Sequence, residues 1–508
     1  MGAFIEYLFG LLKQFFGGIW RAISNFFLGI FDMINIGGYL NTLDTYKGGF
    51  TAFEWILAVL SFLIILAIIA AAVVVIILLI RRRIRVKRAL ANQQALLDQV
   101  GSLNADVLRL TREKDRLLSI AAGRAGSYEE LAQLEENEEE KTEIKEGESR
   151  FYKLTKIDEQ YADYDRAAEV FDNEITLSEI CERFRNFACS RMGLYYDIRI
   201  IRLFVAGLSS TRLLILQGIS GTGKTSLPYA WGKFLENETQ IASVQPSWRD
   251  RTELFGYFNE FTKRFSETEL LKRMYEATYT DKVYFAILDE MNIARVEYYF
   301  AEMLSILEMP SRDEWVVDLV PSGWSNDPKH LDMGRFRLLE NMWYVGTANN
   351  DDSTFAISDK VYDRAIPINI DAKGVKFDAP FTEPLHLNYH HLEDMFKTAM
   401  EEHKVSDEAL EKLEQLDNYV IEHFRLAFGN RIVKQLRDFV PSYVACGGTE
   451  IDGIDYVLNN KILRKFEQLN LAFIRDEIDG LIDYLSELFG VENMQESKAF
   501  LGRLKKIV

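Results

Sequence analysis

The sequence predicts an α/β fold: a parallel sheet flanked by helices, followed by an all-helical part and preceded by a membrane helix with a helical stalk. Three observations predict it. An apolar run, Leu213 to Leu216, leads into Gly218-Ile219-Ser220-Gly221-Thr222-Gly223-Lys224-Thr225, and Pro228 with Tyr229-Ala230-Trp231 suits the first turns of a helix behind it. A second apolar run, Val283 to Leu288, ends on two carboxylates, Asp289 and Glu290. A third, Trp55 to Ile80, carries no charge, and Ser61 is its only clearly polar residue.

The first run and its loop fit strand, G-x-x-x-x-G-K-[ST] and helix, which is the order a phosphate-binding loop needs. Small residues let the backbone turn tightly, so that successive N–H groups face an anion at the positive end of the helix. Gly218, Ser220, Gly221, Thr222, Gly223, Lys224, Thr225 and Ser226 are the candidate phosphate-cradling residues. Lys224 is placed to reach β- and γ-phosphates, and the Thr225 hydroxyl to ligate Mg²⁺. The second run reads as a buried parallel strand whose C-terminal end carries the site. Asp289 would hold Mg²⁺ through its water shell, and Glu290 would orient or deprotonate an attacking water.

The 508 residues suffice for about three domains. A formal net charge of −18 argues against a protein that coats nucleic acid. Cys181, Cys189 and Cys446 form no C-x-x-C, which fits a reducing compartment and no metal cage. His386, His390 and His391 cluster without a second ligand set, so they do not define a metal centre.

Residues 1–50 form an amphipathic segment. Phe4, Leu8, Leu12, Phe15, Ile19, Ile23, Phe26 and Ile30 recur at helical spacing, interrupted by Glu6, Lys13 and Arg21. Residues 51–88 hold the membrane helix, with residues 55–80 as the span, long enough for a hydrocarbon core of roughly 30 Å. Six basic residues between Arg81 and Arg88 place the following chain on the cytoplasmic side. Residues 89–150 form a stalk and acidic linker. Leu96, Leu103, Leu110 and Leu117 repeat every seven residues, with Val100 and Val107 between them, a pattern that favours a parallel dimer. Ten glutamates between Glu129 and Glu148 read as a solvated hinge. Residues 151–194 read as a helical linker, 195–384 as the α/β core and 385–508 as amphipathic helices broken at Gly447-Gly448 and Gly490.

Within the core, Tyr195 to Ala206 reads as a helix feeding the first strand. Ile241 to Val244 and Trp343 to Asn349 read as further strands. Val296 to Leu307 reads as a helix, and Trp315 to Leu319 as a hairpin partner of Arg335 to Leu339. On Gly218 to Thr225, Leu288-Asp289-Glu290-Met291-Asn292 and Gly346-Thr347-Ala348-Asn349, the chain resembles the AAA+ ATPases over roughly residues 195–445. The Asp-Glu-Met-Asn form and the hairpin before Asn349 are similar to the branch holding the MoxR, dynein/midasin and McrB-type proteins.

The resemblance implies a P-loop core with a helical lid. It implies that Asn349 is sensor 1, positioning water or reading the γ-phosphate. It implies that Arg364 is an arginine finger acting on the neighbouring subunit's nucleotide, and that Arg431 is sensor 2, with Lys434 and Arg437 as rivals. Arg295 is a further candidate for a subunit interface. Leu254-Phe255-Gly256-Tyr257-Phe258 is either a pore loop or a segment packed on its own ring. The resemblance also implies self-assembly into a ring, a hexamer, acting on an unidentified protein partner; the dimer-like stalk does not itself specify six. Thr347-Ala348-Asn349-Asn350-Asp351-Asp352-Ser353 departs from the pattern of the GTP-using members, which favours ATP with Mg²⁺ and leaves GTP as the second choice. Two rival functions remain at this point: a McrB-like GTPase motor serving a nuclease in restriction or phage defence, and a non-hydrolysing, nucleotide-switched membrane scaffold.

Overall fold

The computed structural model describes residues 147–508 apart from Asn173, residues 350–353, Asn470 and Val508, together with Gly37 and Asn41. The amphipathic segment, the span at 55–80, the heptads and most of the acidic run lie outside the described residues. Among the described residues no helix is long and apolar enough to cross a membrane. The chain divides into Met1–Leu131 and Ala132–Val508. The α/β core and the helical part both belong to the second unit.

The order begins with α1 (Tyr152–Gln160), α2 (Leu177–Met192) and α3 (Ile198–Ser210). Thr176 and Glu179 close a capping box at the start of α2, and Gly193 ends it in the left-handed region at φ 64°. Asp197 caps α3 by accepting the Arg199 N–H, so the expected helix from Tyr195 begins three residues later. Then come β1 (Leu213–Gly218), α4 (Ser226–Phe234) and β2 (Gln240–Ser243). A short helix α5 (Thr252–Phe255) precedes a hairpin of β3 (Gly256–Phe258) and β4 (Phe265–Glu267), and α6 (Glu269–Glu276) comes next. The acidic strand is β5 (Tyr284–Asp289).

The helix expected over Val296 to Leu307 is two pieces, α7 (Val296–Tyr299) and α8 (Ala301–Ile306), broken at Phe300. Tyr299 and Phe300 are both wholly buried and pack on different rings, Trp248 and Tyr344. Adjacent positions on one straight helix diverge by about 100°, and the break lets both be buried. The expected hairpin forms between β6 (Val316–Asp318) and β8 (Arg335–Arg337), with β7 (Leu331–Asp332) added beside β8. β9 (Met342–Asn349), α9 (Asp359–Tyr362) and β10 (Ile366–Asn369) complete the core.

The sheet is parallel, in the order β10-β1-β9-β5-β2. The apolar runs of β1, β5 and β9 are continuous because both faces of these strands are buried, whereas edge strand β2 alternates half-buried and exposed residues. Leu214, Leu216, Phe285, Trp343 and Val345 join one apolar cluster with α3 and α4, whereas Leu213, Ile215, Tyr284, Leu288 and Tyr344 join another with α6, α7 and α8. The helical part is α10 (Tyr389–Glu402), α11 (Asp407–Phe424), α12 (Asn430–Ala445), α13 (Glu450–Val457), α14 (Leu471–Phe489) and α15 (Gln495–Ile507). It shares the α3–α4 cluster. Gly447-Gly448 and Gly490 fall at helix ends, as the sequence predicts.

Candidate active site

β1 stops at Gly218, where φ is 140° and a Cβ would lie 2.5 Å from the Ile370 carbonyl oxygen. Glycine alone lets the chain leave the sheet there. Gly221 and Gly223 are also at positive φ, 79° and 93°, the tight turning a phosphate cradle requires. Lys224 is buried, and its Nζ donates to the Gly218 and Ile219 carbonyls at 3.1 and 2.8 Å. Its charge therefore lies inside its own loop. Tyr196 donates its hydroxyl to the Gly223 carbonyl at 3.0 Å, and burial pushes its pKa well above the ordinary phenol value, so it stays a donor.

Thr225 occupies the cap position of α4 but makes no side-chain cap bond. Its hydroxyl instead donates to Asp289 Oδ1 at 2.7 Å. In the first turn of α4 the Leu227 N–H already donates to the Gly223 carbonyl at 3.1 Å and Pro228 has none to give, so the N–H groups that can face an anion are those of the loop and of Ser226. Thr347 Oγ1, on the neighbouring strand, donates to the same Asp289 oxygen at 2.8 Å and accepts the Glu290 N–H at 2.9 Å. Glu290 is exposed and left-handed, at φ 53° and ψ 45°. For a non-glycine residue this is a strained conformation. It turns the chain sharply as the strand ends.

Asn349 pairs with Gly218 in the sheet register, so the end of β9 stands directly beside the start of the loop. Asn292 is buried and donates from Nδ2 to the Asn349 carbonyl and to Thr354 Oγ1, at 2.9 and 3.0 Å. The phosphate-loop residues, Asp289, Glu290 and Asn349 are thereby brought together at the C-terminal edge of the sheet. A cavity of about 380 Å³ adjoins the loop at Thr222, lined by Tyr195, Tyr196, Asp197, Lys373 and Phe377 among others.

Arg364 and Arg431 are not part of this group. Arg364 lies just before Ile366, which pairs with Leu214 at the start of β1. Arg364 and Arg431 both pair with Glu308, at 2.6 and 2.7 Å. They share a cavity with Thr211, Arg212 and Leu213. From Leu213 to Gly218 the strand climbs roughly 16 Å, which keeps Arg431 as well as Arg364 away from the glycine-rich loop of their own chain. Of its rivals, Lys434 lines the same cavity and Arg437 is exposed. Arg295 is exposed beside the Tyr298 and Phe355 rings. In the 254–258 segment Leu254 and Phe255 are core residues, and Tyr257 is 54% exposed.

Among the described residues no group of three or more His, Cys, Asp and Glu could hold a metal ion. His386 faces Glu169 and Glu236, and His390 faces Asp281. The oxygens of Thr225 and Asp289 fit Mg²⁺, an ion that takes few protein ligands and completes its shell with phosphate oxygens and water.

The sequence assigns no role to Tyr196, Asn292, Thr347 or Glu308. A polar residue within an apolar strand marks Thr347, and Asn292 closes the Asp-Glu-Met-Asn stretch; Tyr196 and Glu308 are placed by tertiary contacts alone. No protein-family model matches the chain, and no curated protein matches it. Fold and site together define an α/β protein with a five-stranded parallel sheet, flanking helices and a helical C-terminal part.

Proposed function

We propose that the chain is a membrane-anchored AAA+ ATPase subunit that binds and hydrolyses ATP with Mg²⁺ and uses the cycle to remodel or move a partner protein. One observation carries the reading: Thr225, Asp289, Thr347 and Glu290 form a bonded set across three neighbouring segments, directly beside the lysine-bearing loop. A structural cap would have turned the Thr225 hydroxyl to its own helix.

On this reading the Lys224 ammonium leaves the Gly218 and Ile219 carbonyls for the phosphates. Thr225 and Asp289 hold Mg²⁺, which would offset phosphate charge. Glu290, exposed at the turn, orients or deprotonates water, and Asn349 positions it. The cavity beside Thr222 suits the nucleoside, with aromatic rings for a base to contact. ATP rather than GTP is taken from the residues after Gly346. The membrane anchor rests on the apolar run at 55–80 and its basic flank. Self-assembly into a ring rests on the position of Arg364, away from its own loop.

Steady-state hydrolysis by the full-length chain tests the chemistry. Lys224→Ala should lose nucleotide binding, and Glu290→Gln should bind without turning over. Turnover of Glu290→Gln at the wild-type rate would remove the role of Glu290. Running ATP and GTP side by side decides the base, and recovery of the chain in the soluble fraction without detergent would remove the anchor.

A further inference from the structure

We infer that Arg431 acts beside Arg364 on the nucleotide of a second copy of this chain, and that Glu308 is the counter-anion that holds both arginines until that nucleotide's phosphates replace it. The inference rests on the reading of the chain as a nucleotide-hydrolysing assembly.

Its basis is the end of the sheet opposite the phosphate loop. Glu308 follows α8, and its two carboxylate oxygens are divided between two cations: Oε2 lies 2.6 Å from an Arg364 nitrogen, and Oε1 lies 2.7 Å from an Arg431 nitrogen in a charge contact without hydrogen-bond alignment. Arg364 also donates from Nη1 to the Lys360 carbonyl at 2.8 Å, while its buried Nε has no hydrogen-bond partner among the described residues. The Arg364 and Glu308 side chains are 17% and 23% exposed, and Arg431 is 45% exposed. The group is therefore sheltered yet open on one side.

The opening is a cavity of about 470 Å³. Besides these three residues, Arg212, Arg312, Lys434 and Asp438 line it. Arg312 is paired with Glu340 at 3.7 Å, which leaves four cations facing Glu308 and Asp438. The lining includes Asn430, the first residue of α12, whose cap residue Gly429 offers no side-chain acceptor, so the positive end of a 16-residue helix adds to the same field. A space of this charge selects an anion. Two guanidinium forks side by side suit an anion with several oxygens on one atom, as at the end of a triphosphate. The chain's own loop is roughly 16 Å away along β1, so the phosphates must come from another copy.

Glu308 makes this contact conditional. Two guanidinium groups repel each other, and the shared carboxylate cancels that repulsion in the free chain. It also competes with any arriving phosphate. A nucleotide-loaded neighbour brings more negative charge and more acceptor oxygens than one carboxylate, whereas an empty neighbour brings neither.

The test uses the full-length chain in detergent with a non-hydrolysable ATP analogue. Nucleotide binding and the protein concentration at half-association, by sedimentation, are measured on the same samples. Glu308→Gln should bind the analogue like wild type and associate at a roughly tenfold lower concentration, the scale on which a close charge pair tunes an interface. Glu308→Asp, which keeps the charge, should behave like wild type. Arg431→Ala should bind the analogue normally, associate poorly, and regain ATP turnover when mixed with Lys224→Ala chains, which supply intact arginines to its intact loops. Equal or weaker association of Glu308→Gln overturns the counter-anion role. Weakened analogue binding by Arg431→Ala, or no rescue in the mixture, overturns action on a second copy. Analogue binding that is absent, or insensitive to Lys224→Ala, instead removes the nucleotide reading on which both rest.

Discussion

The Asn292 side chain is bonded to the Asn349 backbone from both directions: Nδ2 donates to the Asn349 carbonyl at 2.9 Å, and Oδ1 accepts the Asn349 N–H at 3.3 Å. A side-chain amide here does the work of a peptide unit in a sheet ladder. It fastens the turn after Glu290 to the end of β9. The groups proposed to activate and position water are therefore fixed relative to one another by a residue that is itself buried. Asn292→Leu keeps the side-chain size and removes both bonds. It should leave nucleotide binding intact and lower turnover by about a hundredfold, the usual consequence of a small displacement between reacting groups. Turnover within a factor of two of wild type would show that Asn349 needs no such tether.

Glu290 holds a left-handed backbone at a position where its side chain is exposed. Such a conformation costs a non-glycine residue on the order of 1 kcal/mol. The proposed role in activating water, rather than stability, would then explain the glutamate. Glu290→Gly should be more stable than Glu290→Gln by about 1 kcal/mol in urea unfolding of the nucleotide-free chain, although on the proposed reading neither variant should turn nucleotide over. Equal midpoints would mean that the turn is not strained.

Much of the core was legible in the sequence, for a physical reason that also sets the limit. β1, β5 and β9 lie inside the sheet with both faces covered, so each is an unbroken apolar run. Edge strand β10 is only Ile366-Pro367-Ile368-Asn369 and contains a proline, which an edge tolerates but which erases the strand signal. The loop, Asp289, Glu290 and Asn349 were readable because each sits at the end of a readable strand. The arrangement of Glu308, Arg364 and Arg431 was not. Those residues meet only because the start of α12 packs beside the start of β10, as the Gln435 side-chain bond to the Asp363 carbonyl records at 3.2 Å, and no local pattern encodes that.

Lys461 is fully buried and donates from Nζ to the Tyr362 and Ala365 carbonyls, both at 2.6 Å, on either side of Arg364. Burial lowers its pKa from 10.5 to about 7, against the opposing pull of Asp363. Between pH 7 and 10.5 the unfolded chain binds a proton that the folded chain does not, so this group makes stability rise with pH across that window. Below pH 7 both states are protonated and the contribution is flat. Relative to Lys461→Met, the wild-type chain should gain stability with a slope of up to about 1.4 kcal/mol per pH unit in that range. Parallel stability profiles for the two chains from pH 7 to 10 would mean that Lys461 stays charged when folded.

Arg364 stands fifteen residues after Asn349 but at the far end of the strand layer. A cation there cannot touch its own phosphates, and a finger stabilises charge that develops only in the transition state. Its loss should therefore appear in turnover and not in binding. Arg364→Ala should bind nucleotide like wild type and hydrolyse it about a thousandfold more slowly. Arg364→Lys should recover little of this, because a point charge does not replace a planar fork. Mixing Arg364→Ala with Lys224→Ala chains should restore part of the activity. In mixed assemblies some intact loops face intact arginines, and anchoring in one membrane would raise the local concentration that favours such contacts. Activity should rise from near zero for either variant alone to a maximum at intermediate ratios. A flat response across all ratios, or full turnover by Arg364→Ala on its own, would show that each chain completes its own site.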